Sequence, residues 1–282
     1  MRIPKYLFHK VFRAIVSRID ISKKRPVVVS FTGGMGAQII SAAIYMDLQN
    51  QGYDVYADFR YFEEKPTLHH GYSVWDWQLE CYGLTMKDFK RYEIRNLQLI
   101  MSRYIKDGDK KTQLAHLAMD KKYIISRFFN YTKEFKSEIE ILLSNNIPLA
   151  GPYLCVHIRR GDYMKVASHL VPEESFLEII FRAKSILKTI VVISDSPISE
   201  KFKDSISGDF KNAIIYDSGS LHFATSHYLM TKASMLICSN SQFSWTAGKL
   251  ASGIVLIPKK WFGEKGYALE KIILTESKFM TI

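Results

Sequence analysis

The chain has 282 residues, 47% of them hydrophobic and 24% charged, the balance of a folded globular protein and not of a disordered one. With 39 Lys and Arg against 28 Asp and Glu, the net charge of +11 favours anionic partners: a phosphorylated ligand, an anionic membrane surface or nucleic acid. No apolar run approaches the ~20 residues of a spanning helix and no signal peptide is visible; the scattered Cys81, Cys155 and Cys238 read as thiols of a reducing compartment, not as a disulfide framework or a metal site.

Residues 1–25 form a segment of their own, in which Ile3, Leu7, Phe8, Val11, Phe12, Ile15, Val16 and Ile19 recur at helical spacing among Arg2, Lys5, Lys10, Arg13 and Arg18. A basic amphipathic helix of this kind either lies in the interface of an anionic membrane or packs its apolar stripe on the body of the protein. After Pro26, Val27–Phe31 reads as a strand that runs into Thr32-Gly-Gly-Met-Gly-Ala-Gln38 and a helix through Ile39, Ile40, Ala43, Ile44 and Leu48. Asp54–Asp58 reads as the next strand. The Gly-rich turn lets backbone N–H groups around Gly34 and Gly36 approach a phosphate at a helix N-terminus, although tight strand–helix turns also use glycine without any ligand.

Residues 59–90 are rich in aromatics, including Tyr61, Phe62, Tyr72, Trp75, Trp77 and Tyr82, a residue class that lines sugar clefts and fills cores alike. Residues 88–146 read as mainly helical, with Phe135, Ile139, Leu142 and Leu143 on one face of a helix from Lys133 to Asn145. The breakers Asn145-Asn146-Ile-Pro148 and Gly151-Pro152 then mark a boundary, giving a basic segment 1–25, a first domain 26–150 and a second domain 151–282.

In the second half, strands are predicted at Tyr153–Ile158, Thr189–Ile193, Ala213–Tyr216, Met235–Cys238 and Gly253–Ile257, with helices between them starting near Pro172, Leu221 and Thr246. Such alternation implies a parallel sheet with right-handed crossovers. Three polar clusters then fall beyond the strands' carboxyl ends: His157, Arg159, Arg160 and Asp162; Ser194 and Asp195; Ser239, Asn240, Ser241 and Ser244. Ligands of open α/β sheets bind at that edge. Two guanidiniums and a hydroxyl-rich loop before a helix suit a diphosphate, and Asp195 could accept from a base or ribose. Each cluster also has a bland reading, as a helix cap or a loop-tying ion pair.

His157–Asp162, Ser194-Asp195 and Ser239–Trp245 resemble the three motifs of the inverting α-1,2-fucosyltransferases, glycosyltransferase family 11, and Gly33–Gln38 is similar to that family's Gly-Gly-x-Gly-x-Gln loop. The likeness runs in the family's order from about residue 27 to 250. It implies a GT-B-like α/β fold of two facing Rossmann-like domains with parallel sheets. The second would bind GDP-fucose and the first would supply most of the acceptor site. It also implies that Arg159 contacts the β-phosphate. The expected catalytic residues are Arg159 and Asp162, and the expected substrate-binding residues are His157, Arg160, Ser194, Asp195, Asn240, Ser241, Ser244, Gly34, Gly36 and Gln38. The chain departs from the family at Ala37 (usually Asn), Ser196 (usually Asp), Ser226 (usually acidic) and Thr246 (usually Trp), which leaves acceptor identity open.

Transfer of a sugar from a nucleoside diphosphate needs the departing phosphate charge stabilised by a metal or a preorganised cation. The sole D-x-D, Asp107-Gly-Asp109, is flanked by Lys106, Lys110 and Lys111 and reads as a solvated turn; no metal cofactor is expected, and Arg159 is the leaving-group stabiliser. Inversion calls for a general base, for which Asp162, His169, Glu173 and Glu174 are candidates and Asp162 is preferred. Two classes compete: a glycosyltransferase of the same fold that uses a different nucleotide sugar or acceptor with the same phosphate grip, and a nucleic-acid-binding protein, against which much of the excess charge sits in residues 1–25 and no recognition motif appears. The expected setting is cytoplasmic, peripheral to the inner face of a membrane, on a glycan acceptor that is lipid-linked during surface polysaccharide assembly.

Overall fold

The computed structural model describes residues 26–63, 75–93, 103–105, 124–146, 151–165, 169–258, 260–261, 267–268 and 279–281. The basic segment 1–25, Tyr72, the Asp107-Gly-Asp109 turn and Pro148 lie outside the described residues.

Strand β1 (Val27–Ser30) is a run of valines buried on both faces, where β-branched side chains pack well. The chain turns at Gly33, whose φ of +70° lies in the left-handed region open to glycine. It then enters helix α1 (Met35–Asn50), in which every residue from Met35 to Tyr45 is buried. A helix apolar on all sides is enclosed, and this one is. Strand β2 (Val55–Asp58) pairs parallel to β1, and Asp58 Oδ1 accepts from the Arg60 N–H at 3.1 Å to start the short helix α2 (Arg60–Glu63). Strand β3 (Arg103–Ile105) pairs parallel on the other side of β1, giving the order β2-β1-β3. This is a strand within a stretch expected to be mainly helical, 88–146: pairing with β1 decides the conformation of three residues that carry no strand pattern of their own. Helices α3 (Ile124–Phe128) and α4 (Lys133–Asn146) complete this half, α4 being capped by Thr132 Oγ1, which accepts from the Phe135 N–H at 3.1 Å.

The second half alternates strictly: β4 (Tyr153–Ile158), α5 (Glu173–Ala183), β5 (Thr189–Ser194), α6 (Glu200–Asp209), β6 (Asn212–Tyr216), α7 (Phe223–Lys232), β7 (Met235–Ile237), α8 (Gln242–Leu250) and β8 (Ile254–Ile257). A small antiparallel pair, β9 (Lys260–Trp261) and β10 (Tyr267–Ala268), precedes a last strand, β11 (Phe279–Thr281). The sheet runs β11-β8-β7-β4-β5-β6 with every pairing parallel. From β4 the chain winds outward through β5 and β6, then returns to lay β7, β8 and β11 on the other side. The reversal falls between β4 and β7, and in a doubly wound sheet that crevice is where ligands bind. The architecture is α/β with two parallel sheets facing each other, GT-B-like, as the resemblance implies.

Alternation along β4 assigns its side chains to two faces. Leu154, Val156 and Ile158 pack under α5 and α6 with Phe176, Ile180, Phe202 and Ile206. Tyr153 and Cys155 face the other way, into a core that also holds Val29, Phe31, Ile39, Ile44, Phe129, Leu236 and Val255. The boundary near residue 150 therefore separates two sheets but not two cores. Cys81, Cys155 and Cys238 are buried and unpaired. Among the described residues no helix is long and apolar enough to cross a membrane.

Candidate active site

The loop after β4 is tied to the loop after β7 by the Arg159 backbone N–H, which donates to Ser239 Oγ at 3.0 Å. The Arg159 guanidinium meets two carboxylates: Nη2 donates to Asp162 Oδ1 at 2.6 Å, and Nη1 lies 2.5 Å from Asp195 Oδ2. It also sits between the rings of Trp75 and Tyr163, with Cζ 5.7 and 5.3 Å from their centroids. Asp195, at the end of β5, holds the loop a second time, because its Oδ1 accepts from the Arg160 N–H at 2.8 Å. Gly161 completes the turn at φ +27°, and its N–H donates to Ser196 Oγ at 3.0 Å. A Cβ on Gly161 would stand 2.6 Å from Asp195 Oδ2, so the close approach requires glycine.

Around these groups is a cavity of about 530 Å³ between the two sheets. Gly33, Gly34, Gly36 and Trp75 line it from the first half, and His157, Arg159, Asp162, Ser194, Asp195 and Ser241 from the second. Two helices begin at its wall. Helix α8 is capped by Ser241, whose Oγ accepts from the Phe243 N–H at 3.2 Å, and α1 starts after Gly34. Their first turns touch: a Cβ on Gly36 would lie 2.5 Å from the backbone of Gln242 and Phe243. Two helix N-termini at one cavity favour an anion there.

Four of the residues expected to bind substrate do not line the cavity. Arg160 turns to α5, with Nη2 3.0 Å from Glu173 Oε1, and Glu173 also accepts from Ser199 Oγ. Gln38 is consumed by the loop it follows: Nε2 donates to the carbonyls of Gly33 and Asp76 at 2.8 and 2.9 Å, and Oε1 accepts from the Gln78 N–H at 2.8 Å. Ser244 is fully buried and donates to the Ser239 and Ser241 carbonyls, each at 3.4 Å. Asn240 is buried behind the same turn. These four shape the cavity wall from behind. Gln78, Tyr163, His222 and Phe223, not singled out by motif, do line it, as does Phe243 from the Ser239–Trp245 motif.

His157 is buried at the cavity, and its Nδ1 has no hydrogen-bond partner among the described residues. Burial, with the Arg159 charge adding to it, pushes its pKa down to about 3, so the ring is a neutral group in the cavity wall. A second buried histidine was not legible at all. His227 on α7 has Nδ1 2.6 Å from Tyr131 Oη and 3.1 Å from Tyr82 Oη, and Nε2 3.2 Å from Thr246 Oγ1. Thr246 donates to the Gln242 carbonyl at 2.9 Å and therefore accepts from His227 Nε2, leaving Nδ1 to accept from Tyr131, the nearer of the two tyrosines. That chain joins the first half to the first turn of α8.

The family model described as Glycosyl transferase family 11 matches residues 84–276, which include the clusters at His157–Asp162, Ser194-Asp195 and Ser239–Trp245. The chain belongs to glycosyl transferase family 11. Among solved structures similar to this family 11 member, fucosyltransferase NodZ from Bradyrhizobium is 15% identical with a TM-score of 0.44, covering 82% of this chain and 94% of that one. POFUT1 in complex with GDP is 13% identical with a TM-score of 0.48, covering 82% and 97%. Escherichia coli heptosyltransferase WaaC with ADP is 12% identical with a TM-score of 0.46, covering 91% and 92%. No curated protein sequence matches this chain.

For a glycosyl transferase the arrangement supplies a cation, the N-terminus of α8 and a neutral imidazole on the second-half side of the cavity, facing the N-terminus of α1 with its glycines and the Trp75 ring on the first-half side. Among the described residues no three His, Cys, Asp or Glu side chains gather as a cation site.

Proposed function

We propose that this family 11 member transfers fucose from GDP-fucose to the 2-hydroxyl of a galactoside, with inversion at the anomeric carbon and without a metal. The observation that carries the reading is Arg159, fixed at the reversal point of the sheet and lining the cavity between the sheets. As the glycosidic bond to the donor breaks, negative charge grows on the β-phosphate. A guanidinium offers it paired N–H donors in fixed geometry, and the N-termini of α1 and α8 add to the field. Trp75, beside the guanidinium in the cavity wall, offers an apolar ring to the acceptor sugar. Residues 1–25 would hold the enzyme against the anionic inner face of the membrane, near a lipid-linked glycan such as an O-antigen precursor; support for this lies in their sequence pattern alone.

The test is transfer from radiolabelled GDP-fucose to a panel of β-galactosides, with product linkage determined, in EDTA and in Mn²⁺. Fucose on the 2-hydroxyl with full activity in EDTA is expected. Transfer from another nucleotide sugar, or activity abolished by EDTA and restored by Mn²⁺, would overturn the reading.

A further inference from the structure

We infer that Arg159 masks Asp162, that a diphosphate unmasks it as the proton acceptor, and that the nucleotide therefore binds before the acceptor. The inference rests on the proposed function, in that it takes a sugar nucleotide's diphosphate to bind at Arg159.

The Arg159 charge is matched by Asp162 and Asp195, at 2.6 and 2.5 Å. A diphosphate arriving at the same guanidinium brings more negative charge than either carboxylate, and the three anions cannot share the donors on equal terms. The two aspartates differ in what else holds them. Asp195 is anchored independently, by the Arg160 N–H at 2.8 Å and by the glycine-sized gap at Gly161. Among the described residues, the hydrogen bond of the Asp162 carboxylate goes to Arg159. When phosphate oxygens take Nη2, Asp162 is the carboxylate that is released, and the diphosphate repels it towards the rest of the cavity it already lines.

The released carboxylate then stands beside Trp75, Tyr163 and the acceptor, without its ion pair to Arg159. In the transfer step the acceptor hydroxyl oxygen forms the new bond to the anomeric carbon, and its proton passes to Asp162. The bond from the anomeric carbon to the β-phosphate oxygen breaks, and its electron pair leaves with the diphosphate held by Arg159. Charge and atoms balance with no further reactant. Before the nucleotide arrives, the acceptor meets a carboxylate that is already engaged.

The prediction runs against the usual effect of removing a charged group from a site. By calorimetry, Asp162→Asn should bind GDP about 3- to 10-fold more tightly than the wild type, because a competing partly exposed ion pair is gone. The same variant should lose about 100-fold or more in kcat, the share of a general base. Asp195→Asn should bind GDP more weakly, because its carboxylate holds the loop. In the wild type, a galactoside acceptor should bind measurably with GDP present and not without it. Weaker GDP binding by Asp162→Asn, or near-normal kcat, would overturn the inference. So would acceptor binding that is equal with and without GDP, a measurement that needs no variant. Wild-type protein that binds no GDP would overturn the nucleotide reading and this inference with it; normal GDP binding alongside any of the other failures would overturn this inference alone.

Discussion

At the scale of single residues, the loop after β4 works because Gly161 leaves room for a carboxylate. Gly161→Ala would set a methyl group against Asp195 Oδ2 in a backbone conformation at φ +27° that side chains disfavour. Stability should fall by about 1–3 kcal/mol, and GDP binding should be lost, because Asp195 can no longer hold both Arg159 and the Arg160 N–H. Thermal melts and calorimetry on the one variant check both parts. The gathering of Arg159, Asp195 and Ser241 was legible, since strand ends in a parallel sheet converge on one edge. The division of labour between Arg159 and Arg160 was not. Adjacent residues leave a strand in opposite directions, and nothing local says that Arg160 meets Glu173 across the loop while Arg159 enters the cavity. Gln38, Asn240 and Ser244 show the same limit: their residue types fit a ligand or a turn equally, and the hydrogen bonds that decide between the two come from residues in the folded loop. His227 carried no signal, because Tyr82 and Tyr131 reach it from 145 and 96 positions away.

Among elements, the contact between the first turns of α1 and α8 sets the width of the site. Gly36→Ala would force a Cβ to within 2.5 Å of the Gln242 and Phe243 backbone, and main chain cannot swing aside as a side chain does. The helices should part, at a cost of about 1–3 kcal/mol, with nucleotide affinity falling because Ser241 and the α8 N-terminus move away from Arg159. Gly208 in α6 is the matched control, with open space around it. Gly208→Ala should leave binding unchanged and raise stability by up to about 1 kcal/mol through helix propensity. Denaturant midpoints and GDP titrations of the two variants separate the effects. Of the elements, β1, β2, α1 and the strands from β4 to β8 with α5 and α7 were readable, since each is a β-branched run or a periodic stretch between breakers; α6 was not predicted, and α8 begins at Gln242, not near Thr246. β3 and β11 were not: Arg103–Ile105 and Phe279–Thr281 are three residues each and owe their conformation to the neighbouring strand they pair with.

For the whole molecule, pH is the sensitive variable. Burial pushes the pKa values of His157 and His227 down to about 3 from the usual 6.5. Between those values the unfolded chain binds protons that the folded one refuses, so stability rises with pH across that window and is fully present above 6.5. The urea midpoint should therefore fall as pH drops from 6.5 towards 3, and His227→Gln, though less stable at neutral pH, should show a shallower acid slope. A midpoint independent of pH over that range would contradict the buried neutral rings. The interior these rings occupy is continuous: Val29 and Ile39 from one sheet and its helix share it with Tyr153, Leu236 and Val255 from the other. Sugar-transferring enzymes invite engineering by grafting the acceptor half of one onto the donor half of another. In this chain such a graft would cut through packed interior, so new acceptor preferences will have to come from the cavity wall, one side chain at a time.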